Sequence, residues 1–106
     1  MTESSWVRAC AENDVEKEDV ARCDAGDSTF AVVHTKSGQW SVIDGLCTHG
    51  RAHLADGFVH GSVIECPKHN GRFDAMTGEP KASPVRVGVR AYETRVVDGI
   101  VEFRLD

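Results

Sequence analysis

Residues 47–73, Cys47-Thr48-His49-Gly50-Arg51-Ala52-His53-Leu54-Ala55-Asp56-Gly57-Phe58-Val59-His60-Gly61-Ser62-Val63-Ile64-Glu65-Cys66-Pro67-Lys68-His69-Asn70-Gly71-Arg72-Phe73, decide how the 106-residue chain is read. The stretch holds two short pairs of metal-binding residue types, Cys47-x-His49 and Cys66-x-x-His69, with sixteen residues, Gly50 to Glu65, between them. Each pair offers one thiolate and one imidazole, so two loops contribute one sulfur and one nitrogen apiece. Four such ligands suit a transition metal, as a lone zinc or as an iron–sulfur cluster.

Outward from this stretch, the chain reads as strands. On the N-terminal side, residues 5–10, then Val20 to Cys23, Thr29 to His34 and Gln39 to Ile43 are short extended runs, Thr29 to His34 being rich in β-branched and aromatic residues. Turn signals at Asp24-Ala25-Gly26-Asp27 and Lys36-Ser37-Gly38 separate the last three. Asn13-Asp14-Val15-Glu16 has the pattern of a capping box and predicts at most one helical turn. Within and beyond the ligand stretch, Leu54-Ala55-Asp56-Gly57 predicts a turn, Ser62 to Glu65 a strand running into Cys66, and Arg72 to Ala75 a short strand closed at Thr77-Gly78. Pro80 and Pro84 bracket an expected stiff loop over Lys81-Ala82-Ser83. Val85 to Val97 reads as one long β-rich stretch. Asp98-Gly99 is a two-residue hairpin signal, and Ile100 to Leu105 returns with strict alternation. Many short strands at turn spacing, with no long helical period, predict one all-β domain over residues 1–106, an antiparallel sandwich or barrel. The Gly-rich segment of about 45–80 is expected to form a small ligand-bearing lobe inserted in it.

Composition narrows the function. The formal net charge is −5, and residues 1–30 carry eight acids against Arg8, Lys17 and Arg22. Nucleic acid is an unfavourable partner for such a chain. No uncharged run reaches the ~20 residues of a membrane helix, and the N-terminus lacks the basic start and apolar core of a secretory signal. The expected compartment is the cytosol, where the four cysteines stay reduced or bind metal. No Gly-rich phosphate loop follows a strand and no nucleophile elbow is present, so sites for NAD, FAD or ATP and serine-type catalysis are not expected.

The residues weigh the two metal readings differently. Structural Cys₂His₂ zinc sites usually place both cysteines in one knuckle and both histidines on a helix. Here each loop mixes the types, and Gly50 argues against a helix pairing His49 with His53. A binuclear cluster fits better: two cysteines on one iron, two histidines on the other. Neutral imidazoles in place of two thiolates favour the reduced state. A zinc-stabilised interaction module is the alternative of another class.

The pattern of Cys47-Thr48-His49-Gly50, Asp56-Gly57, Ile64-Glu65-Cys66-Pro67, His69, Gly71-Arg72-Phe73-Asp74, Thr77-Gly78 and Pro84 resembles the Rieske-type [2Fe–2S] ferredoxins of multicomponent aromatic-ring-hydroxylating dioxygenases. The dense match covers about a third of the chain, with length and β pattern agreeing over the rest. The resemblance implies one [2Fe–2S] cluster. Cys47 and Cys66 would hold its buried iron, and His49 and His69 its outer iron and the electron exit. The Pro84 loop would cover a third side. It also implies a soluble carrier between a flavin-dependent ferredoxin reductase and a terminal oxygenase, meeting both transiently, as a monomer, with no substrate chemistry of its own. A Rieske small subunit of an assimilatory nitrite reductase, or a carrier for another oxygenase, is the related alternative.

Departures from the wider Rieske group are informative. The bc-complex proteins join their two ligand loops by a disulfide, where this chain has Ala52 and Lys68. They also place a serine and a tyrosine hydroxyl against the sulfurs, where this chain has Gly71 and Phe73. Fewer donors imply a potential toward the lower end of the Rieske range of about −150 to +300 mV. Outside the motif, Cys10 and Cys23 read as buried free thiols, His34 as a packed strand histidine, and His53 and His60 as loop surface. Trp6 and Trp40 read as packing residues, and Arg51, Lys68 and Arg72 as solvated or partner-docking cations.

Overall fold

A computed structural model describes residues 6–48, 50–68, 70–83 and 85–105. Among them run eleven strands: β1 (Trp6–Ala11), β2 (Asp19–Ala25), β3 (Ser28–His34), β4 (Trp40–Asp44), β5 (Phe58–His60), β6 (Val63–Glu65), β7 (Arg72–Asp74), β8 (Pro80–Ala82), β9 (Ala91–Tyr92), β10 (Thr94–Val97) and β11 (Ile100–Arg104). Two single 3₁₀ turns, Glu12–Asp14 and Leu54–Asp56, are the only helical elements among the described residues. The pairings are antiparallel and give three sheets, in the orders β1-β11-β10, β2-β3-β4-β9 and β5-β6-β7-β8. The fold is all-β, as the strand pattern predicts.

The second sheet is the middle layer, and β3 shows why. Phe30, Ala31, Val32 and Val33 are buried in succession, as expected for a strand covered on both faces. Phe30 and Val32 point into a core shared with Val101 and Phe103 of β11. Ala31 and Val33 point the other way, into a core shared with Leu54, Val59, Ile64, Phe73 and both motif cysteines. The part of the chain that carries the two Cys/His motifs is thus packed on the far face of the central sheet.

The hairpins carry the expected turn chemistry. Gly26 lies at φ 59° between the paired residues Ala25 and Ser28. Asp98 and Gly99 lie at φ 51° and 78° between Val97 and Ile100, which suits the right-handed twist of the flanking strands. The early helical turn begins one residue before the capping-box pattern. There the Asp14 carboxylate accepts the Ala11 N–H at 3.0 Å.

Two expectations are corrected. Lys81-Ala82 is not in a loop: Pro80–Ala82 forms β8, paired with β7. Pro80 is its first residue and β8 is an edge strand, which is where a strand tolerates proline. Nor is Val85 to Val97 one long strand, since only β9 and β10 are extended within it. Residues 85–90 bond instead to turns and to β4. The Val89 N–H donates to Gly78 O at 2.9 Å, and the Asp44 N–H to Arg90 O at 3.0 Å. Val85 and Val89 are buried while Val87 is 67% exposed, so this segment closes the core as a cover.

Candidate metal centre

The two ligand loops are built alike. In the first, Gly45 follows β4 and the chain turns back through a β-bridge between Leu46 and His53. The Cys47 N–H donates to Ala52 O at 3.0 Å. In the second, β6 delivers Cys66, whose N–H donates to Gly71 O at 2.7 Å, with Asn70 at φ 58° making the reversal. In both, the cysteine amide reaches the carbonyl five residues on. The symmetry legible in the ligand spacing is therefore present in the backbone.

Cys47 is 6% exposed and Cys66 1%. Both are free thiols, and the Cys47 side chain is within hydrogen-bonding reach of the Cys66 sulfur. Burial pushes the Cys66 thiol up; the backbone N–H of Lys68, aimed at its sulfur, partly opposes this. Two buried sulfurs side by side, enclosed by Leu54, Ile64 and Phe73, make a soft donor pair of the kind that iron takes, so the donor set fits a thiolate-bound iron. His49, His69 and Pro84, the other expected members of the site, lie outside the described residues.

The surroundings of the loops are specific. The Thr48 hydroxyl donates to Val87 O at 2.6 Å, tying the covering segment 85–90 to the first ligand loop. Gly71 and Phe73 bring no hydroxyl, and Phe73 is fully buried. Arg51 and Lys68 are exposed and, with Arg22, Leu46, Asp56 and Pro67, line a cleft of about 540 Å³ beside the loops. Arg72 is engaged elsewhere: its Nη2 lies 3.0 Å and its Nε 3.1 Å from Glu65 Oε1, an oxygen that His60 Nε2 approaches at 3.2 Å.

Of the residues assigned outside the motif, Cys23 is buried and Cys10 half-buried. His34 stacks on Trp40 with ring centroids 3.9 Å apart, and His60 is exposed. Trp6 lies under Arg95, whose guanidinium carbon is 3.8 Å from the ring centroid. His53 is the exception. It is 7% exposed rather than surface. Its Nδ1 accepts the Ala55 N–H at 3.0 Å, and its Nε2 lies 2.7 Å from Thr29 Oγ1. Burial, followed by the charge of Arg22, holds its pKa below the usual histidine value. Thr29 lies 24 positions earlier in sequence, so no local pattern marks the pair.

The family profile of the Rieske [2Fe-2S] domain matches residues 5–93. The anthranilate 1,2-dioxygenase ferredoxin subunit of Burkholderia cepacia is 37% identical over 105 residues, covering 96% of each chain. Among solved structures, the Sphingomonas yanoikuyae B1 ferredoxin superposes with a TM-score of 0.90 at 34% identity, over 96% of this chain and all of that one. The ferredoxin in the complex of reduced oxygenase and oxidized ferredoxin of carbazole 1,9a-dioxygenase gives 0.88 at 34% identity, over 96% of this chain and 94% of that one.

Proposed function

The chain belongs to the Rieske [2Fe–2S] family, and from that premise we propose that it is the ferredoxin of an aromatic-ring-hydroxylating dioxygenase system, carrying one electron at a time to the terminal oxygenase. The observation that carries the reading is the pair of buried, adjacent thiols at equivalent places in two matching loops. Cys47 and Cys66 would hold one iron, and His49 and His69 the other. When bound, the [2Fe–2S] cluster would supply reversible one-electron chemistry.

The protein's own part is to hold and shield. Leu54, Ile64 and Phe73 keep water from the sulfur side. The Lys68 amide faces the Cys66 sulfur, and Thr48 secures the cover. Apart from Cys47, itself a ligand in this reading, the donor toward that sulfur is the Lys68 amide, with no hydroxyl among the described residues, and the potential belongs at the lower end of the Rieske range. The donor side of the exchange is a flavin-dependent ferredoxin reductase. The setting is cytoplasmic, the carrier monomeric and formed by the whole 106-residue chain, and substrate is transformed only in the oxygenase. The ferredoxin complexed with an oxygenase in the carbazole system is the structural precedent for such a partner.

The test is spectroscopic and then kinetic. Anaerobically purified protein is expected to be red-brown, to hold about two irons per chain as the cluster type requires, and to become EPR-active on dithionite reduction with the low average g of mixed His/Cys ligation. His69→Ala should lose those features, and wild type should couple a reductase to a ring-hydroxylating oxygenase. A colourless protein with stoichiometric zinc, failing iron–sulfur reconstitution, would overturn the reading.

A further inference from the structure

Among the described residues, His53 is the most enclosed polar side chain around the first ligand loop, and its bonding has a direction. The Ala55 N–H donates to Nδ1 at 3.0 Å, so that nitrogen carries no proton and the ring proton sits on Nε2. Nε2–H then donates to Thr29 Oγ1 at 2.7 Å, and the Thr29 hydroxyl donates to Asp24 Oδ1 at 2.6 Å. The chain of donors runs one way, from the ligand loop through β3 to β2. It ends on an exposed carboxylate that the Thr29 hydroxyl, and secondly Arg22, hold below the usual aspartate range.

The placement gives the network a purpose. His53 closes the loop that begins at Leu46 and contains Cys47 and His49. At the other end of the same loop, the Gly45 N–H donates to Thr29 O at 2.9 Å. Thr29 therefore holds both ends, one through its backbone and one through its side chain. The imidazole also fills the space over Gly45, where an added Cβ would stand 2.6 Å from Nε2. Both anchors lie outside the ligand motif, on the rigid central sheet, which is where support for a metal loop is most effective.

We propose that His53, locked as its Nε2–H tautomer between Ala55 and Thr29, is the positioning residue of the first ligand loop, fixing the geometry in which that loop offers Cys47 to the cluster. The proposal rests on the electron-carrier reading above and assigns His53 no contact with the metal.

Three substitutions in the holoprotein separate its parts. Thr29→Val removes the acceptor while keeping a strand-compatible shape. His53→Asn keeps an acceptor for the Ala55 N–H but falls short of Thr29. His53→Gln reaches Thr29 with an amide N–H. The readouts are EPR g values after dithionite, the rate at which a chelator bleaches the visible bands, and the urea midpoint by far-UV circular dichroism. Thr29→Val and His53→Asn are expected to shift the g values and bleach about tenfold faster, the scale of one lost buried hydrogen bond. Their urea midpoints should fall by no more than one lost hydrogen bond accounts for, and His53→Gln should restore both signals. Thr29→Val combined with His53→Asn should be no worse than Thr29→Val alone, because both cut the His53–Thr29 link and Thr29→Val additionally removes the hydroxyl bonded to Asp24. Unchanged g values and bleaching in Thr29→Val beside a normal wild-type spectrum would overturn the positioning role alone. So would bleaching that merely follows a lowered urea midpoint. A wild type without the cluster signals would fail the carrier reading and this proposal with it.

Discussion

Single residues differ in how openly the sequence declares them. Cys47, His49, Cys66 and His69 stand out in the sequence because metal chemistry restricts residue type and spacing together, and the fold brings the two cysteines together in burial. His53 is not legible, because its role depends on Thr29, which only the fold brings near. Tyr92 is a second such case: its hydroxyl donates to Asp44 Oδ1 at 2.6 Å across 48 residues. Burial first, then that hydrogen bond, push its pKa from 10.0 up to about 12. Burial, then the Asp14 carboxylate, push the Cys10 thiol from 9.0 up to about 11. Both groups are acids that hold their protons more tightly when folded. Their stabilising effect is complete below the unfolded value and disappears as pH rises through the folded one. Urea unfolding should therefore show stability falling in two overlapping windows, pH 9 to 11 for Cys10 and pH 10 to 12 for Tyr92. Tyr92→Phe should flatten the upper window and leave the lower. An unchanged slope above pH 10 in that variant would show that Tyr92 does not carry it.

At the scale of elements, hairpins with their own turn chemistry are legible and non-local backbone contacts are not. The β2–β3 and β10–β11 turns follow from Gly26 and Asp98-Gly99 alone. The segment 85–90 misleads because its valines match a strand while its hydrogen bonds go to the turn around Gly78. Gly78 sits at φ 81°, and a Cβ there would strike the Val89 carbonyl oxygen. Gly78→Ala should thus meet left-handed strain and a backbone clash together, costing about 1–3 kcal/mol. Because the Thr48 hydroxyl clasps Val87 of the same segment, the displaced cover should loosen the first ligand loop as well. The expected result is a lower thermal midpoint with faster chelator bleaching of the visible bands. A variant with wild-type bleaching would show that segment 85–90 can move without disturbing the loop.

Over the whole molecule, layering and charge set what the ligand end can meet. The central sheet, buried on both faces, carries the first sheet on one side and the ligand loops on the other. A net charge of −5, with eight acids in the first thirty residues, makes the exposed cations beside those loops local exceptions. The sequence ranks Arg51, Lys68 and Arg72 equally, since all three flank ligands. The structure separates them. Arg72 is paired with Glu65 at 3.0 Å, so its charge is largely compensated before any partner arrives. Arg51 and Lys68 open onto the cleft between the two loops with no ion pair among the described residues. An acidic patch on an approaching oxygenase or reductase would be attracted by the second pair and little by the first. Lys68→Glu should therefore slow second-order electron delivery about three- to tenfold at low salt. The deficit should shrink as the Debye length falls from ~10 Å at 0.1 M toward ~3 Å at 1 M. Arg72→Gln made together with Glu65→Gln should stay within about twofold of wild type, because it removes a charge and its counter-charge at once. Stopped-flow reduction of the oxygenase over a salt series distinguishes the two variants. Equal slowing in both would return Arg72 to the docking face, and no slowing in Lys68→Glu would remove the cleft from it.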